Sequence, residues 1–199
     1  MSDDIYNQLS FTEGGLSPHL LQVAPGLKER VVCINGMSKA YAMTGWRMGW
    51  AVGPAPLIKA MGSFQSQTTG APSSISQWAS LEALEKGDAD VVASLKALQE
   101  RRVFFADKVR GVPGTKAFEP GGAFYLWLNV EGWLNKTYKS QMVESSRDVA
   151  QFLLKDLLLA VVPGEEFGMG GYLRCSFAAS EENLMKAIDR LNTFARALD

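Results

Sequence analysis

Cysteine and histidine are scarce in this chain, with two cysteines and one histidine among 199 residues. Cys33 and Cys175 are isolated from each other, so they make neither a zinc cluster nor a disulfide framework. Cys33 lies between Val32 and Ile34, and Cys175 has Leu173 and Phe177 two positions to either side, as buried reduced thiols would, which suits a reducing cytoplasm. The single histidine, His19, lies in a proline-containing loop and is given no role. A histidine-based mechanism or metal site is therefore not expected. No apolar run reaches the length of a membrane span. The opening Met1-Ser2-Asp3-Asp4-Ile5-Tyr6 is acidic and has no signal-peptide core. An excess of one charge is also missing. Twenty basic and 21 acidic residues leave a net charge of −1. No basic stripe is present, which argues against a nucleic-acid partner.

What remains is a globular composition, 47% apolar and 21% charged, enough for one domain or two small ones. Strand-like and helix-like segments alternate, the pattern of an α/β fold. Val31 to Asn35 reads as a buried strand ending at Gly36, and Arg47 to Val52 as another, closed by Gly53-Pro54. Helices are expected from Pro56 to about Phe64 and from Ser73-Ser74 to Lys86, where Gly87 stops the second. A loop from Thr68 to Pro72 separates them. The next helix, Asp88 to about Arg110, carries Val91, Val92, Leu95, Leu98, Val103, Phe105 and Val109 at roughly helical spacing. It reads as the hinge between two units.

Beyond the hinge, strands are expected over Ala123 to Val130, Leu159 to Val162 and Tyr172 to Phe177. Helices are expected over Ser146 to Leu157 and after Ser180, whose stripe is Leu184, Ala187, Ile188, Leu191, Phe194 and Ala195. The five tryptophans, Trp46, Trp50, Trp78, Trp127 and Trp133, read as core or interface.

The chemistry concentrates between Ser38 and Arg47. An isolated loop lysine is ordinarily solvated, but Ala40-Tyr41-Ala42-Met43-Thr44-Gly45-Trp46 is apolar and aromatic and would bury the Lys39 amine. Burial favours the neutral, nucleophilic form of an amine. Such an amine can join a carbonyl cofactor, while the Ser38 hydroxyl and the Arg47 fork can hold a phosphate. A phosphorylated aldehyde needs that combination.

The run Asn35-Gly36-Met37-Ser38-Lys39-Ala40-Tyr41-Ala42-Met43-Thr44-Gly45-Trp46-Arg47-Met48-Gly49-Trp50 resembles the lysine motif of class I/II aminotransferases. These are fold-type I enzymes dependent on pyridoxal phosphate, and the nearest likeness is to the bacterial aspartate aminotransferase subgroup. The resemblance continues through Gln65-Ser66-Gln67, Pro120-Gly121-Gly122-Ala123-Phe124-Tyr125, Pro163-Gly164-Glu165-Glu166-Phe167-Gly168 and Leu173-Arg174-Cys175-Ser176-Phe177. It implies the C-terminal half of that α/β fold. Residues 1–105 would then be part of the large cofactor-binding domain, and 106–199 a small α/β sandwich domain.

Roles follow from the same resemblance. Lys39 resembles the lysine that binds the cofactor's aldehyde carbon and later moves the substrate's α-proton. Ser38 and Arg47 resemble the phosphate ligands. Asp3 resembles the aspartate paired with the pyridine nitrogen, and Tyr6, three residues on, the tyrosine at the ring oxygen. Asp4 is the rival to Asp3. Arg174 resembles the arginine that grips the substrate α-carboxylate; Leu173 and Cys175 alternate with it toward the core. Gly122, Ala123 and Phe124 either line the substrate site or simply pack a strand.

Amino acid and 2-oxo acid substrates are implied, with aspartate as first donor and aromatic donors next, and a homodimer for the full-length enzyme. The resemblance also implies a polypeptide about twice this length. The glycine-rich turn, the aromatic stacked on the cofactor and most large-domain strands would belong to the other half. Without it an unpaired sheet edge and an uncovered apolar face are expected. Gly70 and Ala71 stand where related enzymes often carry a serine and an asparagine. The competing readings are an inactive fragment, another reaction of the same cofactor such as elimination or C–C cleavage, and an aminotransferase-like regulator. A regulator would need a DNA-binding module, and none is recognisable in these residues.

Overall fold

The computed structural model of the chain describes residues 1–12 and 15–199. It divides into two compact units, Met1–Lys96 and Ala97–Asp199. The division falls inside one helix.

In the first unit, strand β1 (Ser2–Asp3) is followed by the short helix α1 (Leu20–Val23) and strands β2 (Cys33–Gly36) and β3 (Gly49–Val52). The sheet order is β1-β2-β3, with β1 parallel and β3 antiparallel to β2. Asp3 pairs with Ile34, and Asn35 with Trp50. The outer sides of β1 and β3 have no strand partner among the described residues. The strand expected from Arg47 begins only at Gly49, because Thr44–Trp46 forms a 3₁₀ turn that ends at Arg47 in the left-handed region.

Helix α2 (Ala55–Thr68) runs beyond the expected end at Phe64. Gln65 to Gln67 are good helix formers, and the true terminator is Gly70, whose φ of +70° lets its N–H reach the Gln65 carbonyl at 2.9 Å. Helix α3 (Ser74–Lys86) follows Ser73 and stops at Gly87 as the sequence indicates. A Cβ at Gly87 would lie 2.5 Å from the Ala83 carbonyl oxygen and 3.2 Å from the Tyr41 ring, so only glycine fits this junction. Helix α4 (Asp88–Arg110) starts immediately after it. Its buried positions include Val91, Phe105, Ala106 and Val109, while Val92 and Val103 lie off that stripe and are exposed.

The patterning of α3 is inverted. Its buried residues are Ser76 and Ser80, and Ile75 and Trp78 are 71% and 72% exposed. Leu57, Met61 and Phe64 of α2 are exposed as well, Phe64 by 73%. These large apolar side chains lie in water on the faces of two helices rather than on the sheet. Trp46 is exposed too.

The second unit is built on a four-stranded antiparallel sheet. Its strands are β4 (Lys116–Ala117), β5 (Tyr125–Asn129), β8 (Val162–Pro163) and β9 (Tyr172–Ser176), in the order β4-β5-β9-β8. A small hairpin, β6 (Thr137–Tyr138) and β7 (Gln141–Met142), stands apart from it. Helix α5 (Ser146–Leu157) packs against β8, β9 and helix α6 (Glu181–Arg196). A capping box starts α5: the Asp148 N–H donates to Ser145 Oγ, and the Ser145 N–H donates to Asp148 Oδ2 at 2.9 Å.

Leu126, Leu128, Leu173 and Cys175 enter the core from the sheet. Val149 and Leu153 of α5 and Leu184, Ile188, Leu191 and Phe194 of α6 meet them with Trp133. Full burial of side chains this size stabilises by about 1.5–3 kcal/mol each. Tyr125, Trp127, Tyr172 and Arg174 alternate with these residues and are half-buried.

Candidate functional site

The turn between β2 and β3 is anchored from below. Met37 is fully buried and Ala40 nearly so, which leaves Ser38 and Lys39 between them half-buried at the surface of the unit. Backbone bonds from Met37 N–H to the Met48 carbonyl (3.1 Å) and from Ala42 N–H to the Lys39 carbonyl (3.2 Å) fix its shape. Ala42 and Arg47 both have φ of +53°. Two non-glycine residues in the left-handed region within one short turn store strain of the kind that clusters at functional sites. The Arg47 guanidinium donates to the Thr44 carbonyl at 2.8 Å and otherwise faces solvent.

The parallel pairing of β1 with β2 brings Asp3 to Tyr6 toward this turn. The Lys39 Nζ lies 5.9 Å from the centroid of the Tyr6 ring. Asp3 is exposed, and its carboxylate accepts the Ile5 N–H at 3.2 Å. Asp4 is built in: it accepts from Ser2 Oγ and from His19 Nδ1, each at 2.9 Å, with its side chain 11% exposed. Burial alone would raise the Asp4 pKa. The hydrogen bonds from His19 and Ser2 outweigh it and hold the carboxyl below its ordinary range. Asp3 is therefore the carboxylate of the pair that remains available to a ligand.

A primary amine, a phenol, a carboxylate, a hydroxyl and a guanidinium thus come from two neighbouring segments of one unit. This donor set suits a phosphorylated, cationic heteroaromatic aldehyde. The carboxylate answers the ring cation, the guanidinium and hydroxyl answer the phosphate, and the amine answers the carbonyl. Among the described residues no cluster of histidine, cysteine, aspartate and glutamate could hold a metal ion. No helix among them is long and apolar enough to cross a membrane.

In the second unit, Arg174 lies on β9 between Trp127 of β5 and Val162 of β8. Its guanidinium carbon is 4.4 Å from the Tyr125 ring centroid and 4.6 Å from that of Phe167. Trp127 meets Phe167 edge-on at 5.4 Å and steadies it. Two aromatic faces orient a guanidinium while leaving its in-plane N–H fork for a carboxylate. Tyr125, Val162, Arg174 and Ser176 line a cavity of about 150 Å³ there. Gly122, Ala123 and Phe124 precede β5, with Ala123 left-handed at φ +56°.

Sequence reasoning gives His19 no role, yet it bonds Asp4 through Nδ1 and Asn7 through Nε2. Phe167 and Tyr125 were recognisable as parts of motifs, but not as the faces that hold Arg174. Cys33, expected to be buried, is only half-buried, whereas Cys175 is buried.

The family model described as "Aminotransferase class I and II" matches residues 1–191. A probable aspartate/prephenate aminotransferase of Rickettsia felis is 41% identical over 192 residues, covering 96% of this chain and 47% of the relative. An aspartate aminotransferase of Rhizobium meliloti is 40% identical, covering 95% and 46%. The crystal structure of an aspartate aminotransferase from Rhizobium meliloti superposes with a TM-score of 0.92 at 39% identity, covering 98% of this chain and 49% of that one. An aromatic aminotransferase from Pyrococcus horikoshii gives 0.86 at 29% identity, covering 98% and 50%. The chain spans about half the length of the curated relatives it matches.

Proposed function

Because the chain belongs to the class I and II aminotransferase family, we propose that it is the C-terminal half of a pyridoxal phosphate-dependent enzyme that moves an amino group from an L-amino acid to a 2-oxo acid. The observation that carries this is the Lys39 amine beside the Tyr6 ring, with Asp3, Ser38 and Arg47 on the same two segments. The names of the relatives favour aspartate as donor, with aromatic amino acids next. For the whole protein we propose a cytoplasmic homodimer.

Bound pyridoxal phosphate supplies an electrophilic carbonyl and an electron-withdrawing ring. Lys39 Nζ would hold the group through its carbonyl carbon and, when free, would accept and give back the substrate's α-proton. Asp3 would keep the ring nitrogen protonated, and Tyr6 would donate its hydroxyl to the ring oxygen. Ser38 and Arg47 would hold the phosphate. Arg174 binds the α-carboxylate through a forked pair of N–H groups.

Incubation with pyridoxal phosphate, borohydride reduction and peptide mapping tests the reading. Label is expected on Lys39, and label confined to another lysine sinks it. Assay of several amino donors with 2-oxoglutarate separates transamination from elimination or C–C cleavage.

A second reading, favoured by the half-length match and the bare apolar faces of α2 and α3, is that this chain alone does not turn over.

A further inference from the structure

His19 closes a one-directional chain of hydrogen bonds whose polarity is set by a backbone group that cannot be reversed. The Gly36 N–H donates to Asn35 Oδ1 at 2.7 Å. The Asn35 amide nitrogen therefore faces away and donates to Asn7 Oδ1 at 2.9 Å. That orients Asn7 in turn, so its amide nitrogen points at His19 Nε2, 3.1 Å away. A nitrogen receiving an N–H must present a lone pair, so Nε2 is unprotonated. The proton then sits on Nδ1, which donates to Asp4 Oδ2 at 2.9 Å. Reversing any amide on the route would set two N–H donors against each other, at Asn35 against Gly36 or at Asn7 against Asn35.

The ends of this chain are informative. Asp4 and Asn7 flank Ile5 and Tyr6, and Asp4 follows Asp3 directly. Gly36 is the last residue of β2 and opens the turn that carries Ser38 and Lys39. Among the described residues the ladder between these segments is two residue pairs, Ser2 with Cys33 and Asp3 with Ile34. The side-chain chain extends that short ladder past its end, where the candidate ligands lie.

We propose that His19, held as its Nδ1–H tautomer, is a positioning residue that fixes the Asp3–Tyr6 segment against the Ser38–Lys39 turn. Its functional meaning rests on the cofactor-binding reading above; the tautomer and the coupling do not. His19 does not itself touch the candidate ligands.

The chain's single histidine makes the test clean. A long-range ¹H–¹⁵N spectrum of the neutral imidazole in the intact chain should show Nδ1 protonated and Nε2 bare. Hydrogen exchange at the Gly36 amide should accelerate by about tenfold in His19→Phe, the order expected when a linked hydrogen bond is lost. It should return toward the wild-type rate in His19→Gln, whose amide offers one donor and one acceptor. An Nε2–H tautomer overturns the proposal, as does a Gly36 exchange rate untouched by His19→Phe. If His19→Phe does not fold, the wild-type tautomer still decides. A wild-type chain that shows the Nδ1–H tautomer but takes up no pyridoxal phosphate refutes the cofactor reading and leaves the positioning of the two segments standing.

Discussion

The Lys39 Nζ stands 5.9 Å from the centroid of the Tyr6 ring, although Tyr6 follows β1 and Lys39 follows β2. The parallel β1–β2 pairing makes this possible, since it brings the C-terminal ends of both strands to the same edge. Lys39→Ala should therefore remove all visible absorbance due to bound pyridoxal phosphate, because no other amine shares that position. Tyr6→Phe should keep the ring beside Lys39 and lose only the hydroxyl. Cofactor absorbance should persist, with its maximum shifted. An unchanged spectrum in Lys39→Ala would move the site elsewhere.

Arg174→Ala should weaken binding of dicarboxylates and 2-oxo acids by roughly 2–5 kcal/mol, the cost of losing a desolvated charge pair. Arg174→Lys should recover little, because an ammonium cannot stack between Tyr125 and Phe167 or offer a planar fork. Calorimetric titration with maleate of the protein supplemented with its complementary half measures both variants. Equal affinities for wild type and Arg174→Ala would take Arg174 out of substrate recognition.

Asp4 gives the first unit an acid limit. Its pKa is lower folded than unfolded, so its contribution is fully present above the unfolded value and is lost as pH falls through the folded one. Urea midpoints should decline on acidification in the wild type. In Asp4→Asn that decline should flatten, and stability near neutrality should be lower by about 1.5–3 kcal/mol, the range for hydrogen bonds to a charged group. Parallel pH profiles for the two proteins would contradict this.

Burial pushes the Cys175 thiol up to about 12, so it should remain unreactive in the folded chain at mildly alkaline pH. A thiol reagent should label the half-buried Cys33 first and Cys175 only with unfolding. Cys33→Ser should abolish the early phase. Rapid labelling of both thiols in the native chain would contradict the burial of β9.

The chain alone should show negligible transaminase activity despite carrying Asp3, Tyr6, Ser38, Lys39, Arg47 and Arg174. Asp3 sits on β1, a strand of two residues whose outer side has no strand partner among the described residues. Turnover comparable to a full-length aminotransferase by a monomeric preparation would show that this half builds a working site unaided.

The long elements were legible because their ends are written locally. Gly87 followed by Asp88 marks the junction of α3 and α4, and Ser145 with Asp148 marks the start of α5. The end of α2 was misread because its terminator is Gly70, further on than the polar Gln65–Thr69 stretch suggests. Of the two-residue strands, β1, β4, β6 and β7 were invisible, since so short a strand has no alternation to detect. Lys39, Arg47 and Arg174 were found as parts of contiguous motifs. His19 was not, because its partner Asp4 lies 15 positions away and nothing local announces the pair. A second carboxylate beside Asp3 was the available signal, since strand alternation must send one of the two to the opposite side.

Serines on the inside of α3, with Ile75 and Trp78 in water, bear on the life of this polypeptide after synthesis. Surfaces of that kind are what holdase chaperones capture and what drives chains to co-precipitate. The abundance of this chain in a cell should accordingly follow how quickly α2 and α3 acquire a cover, more than how tightly its own two units are packed.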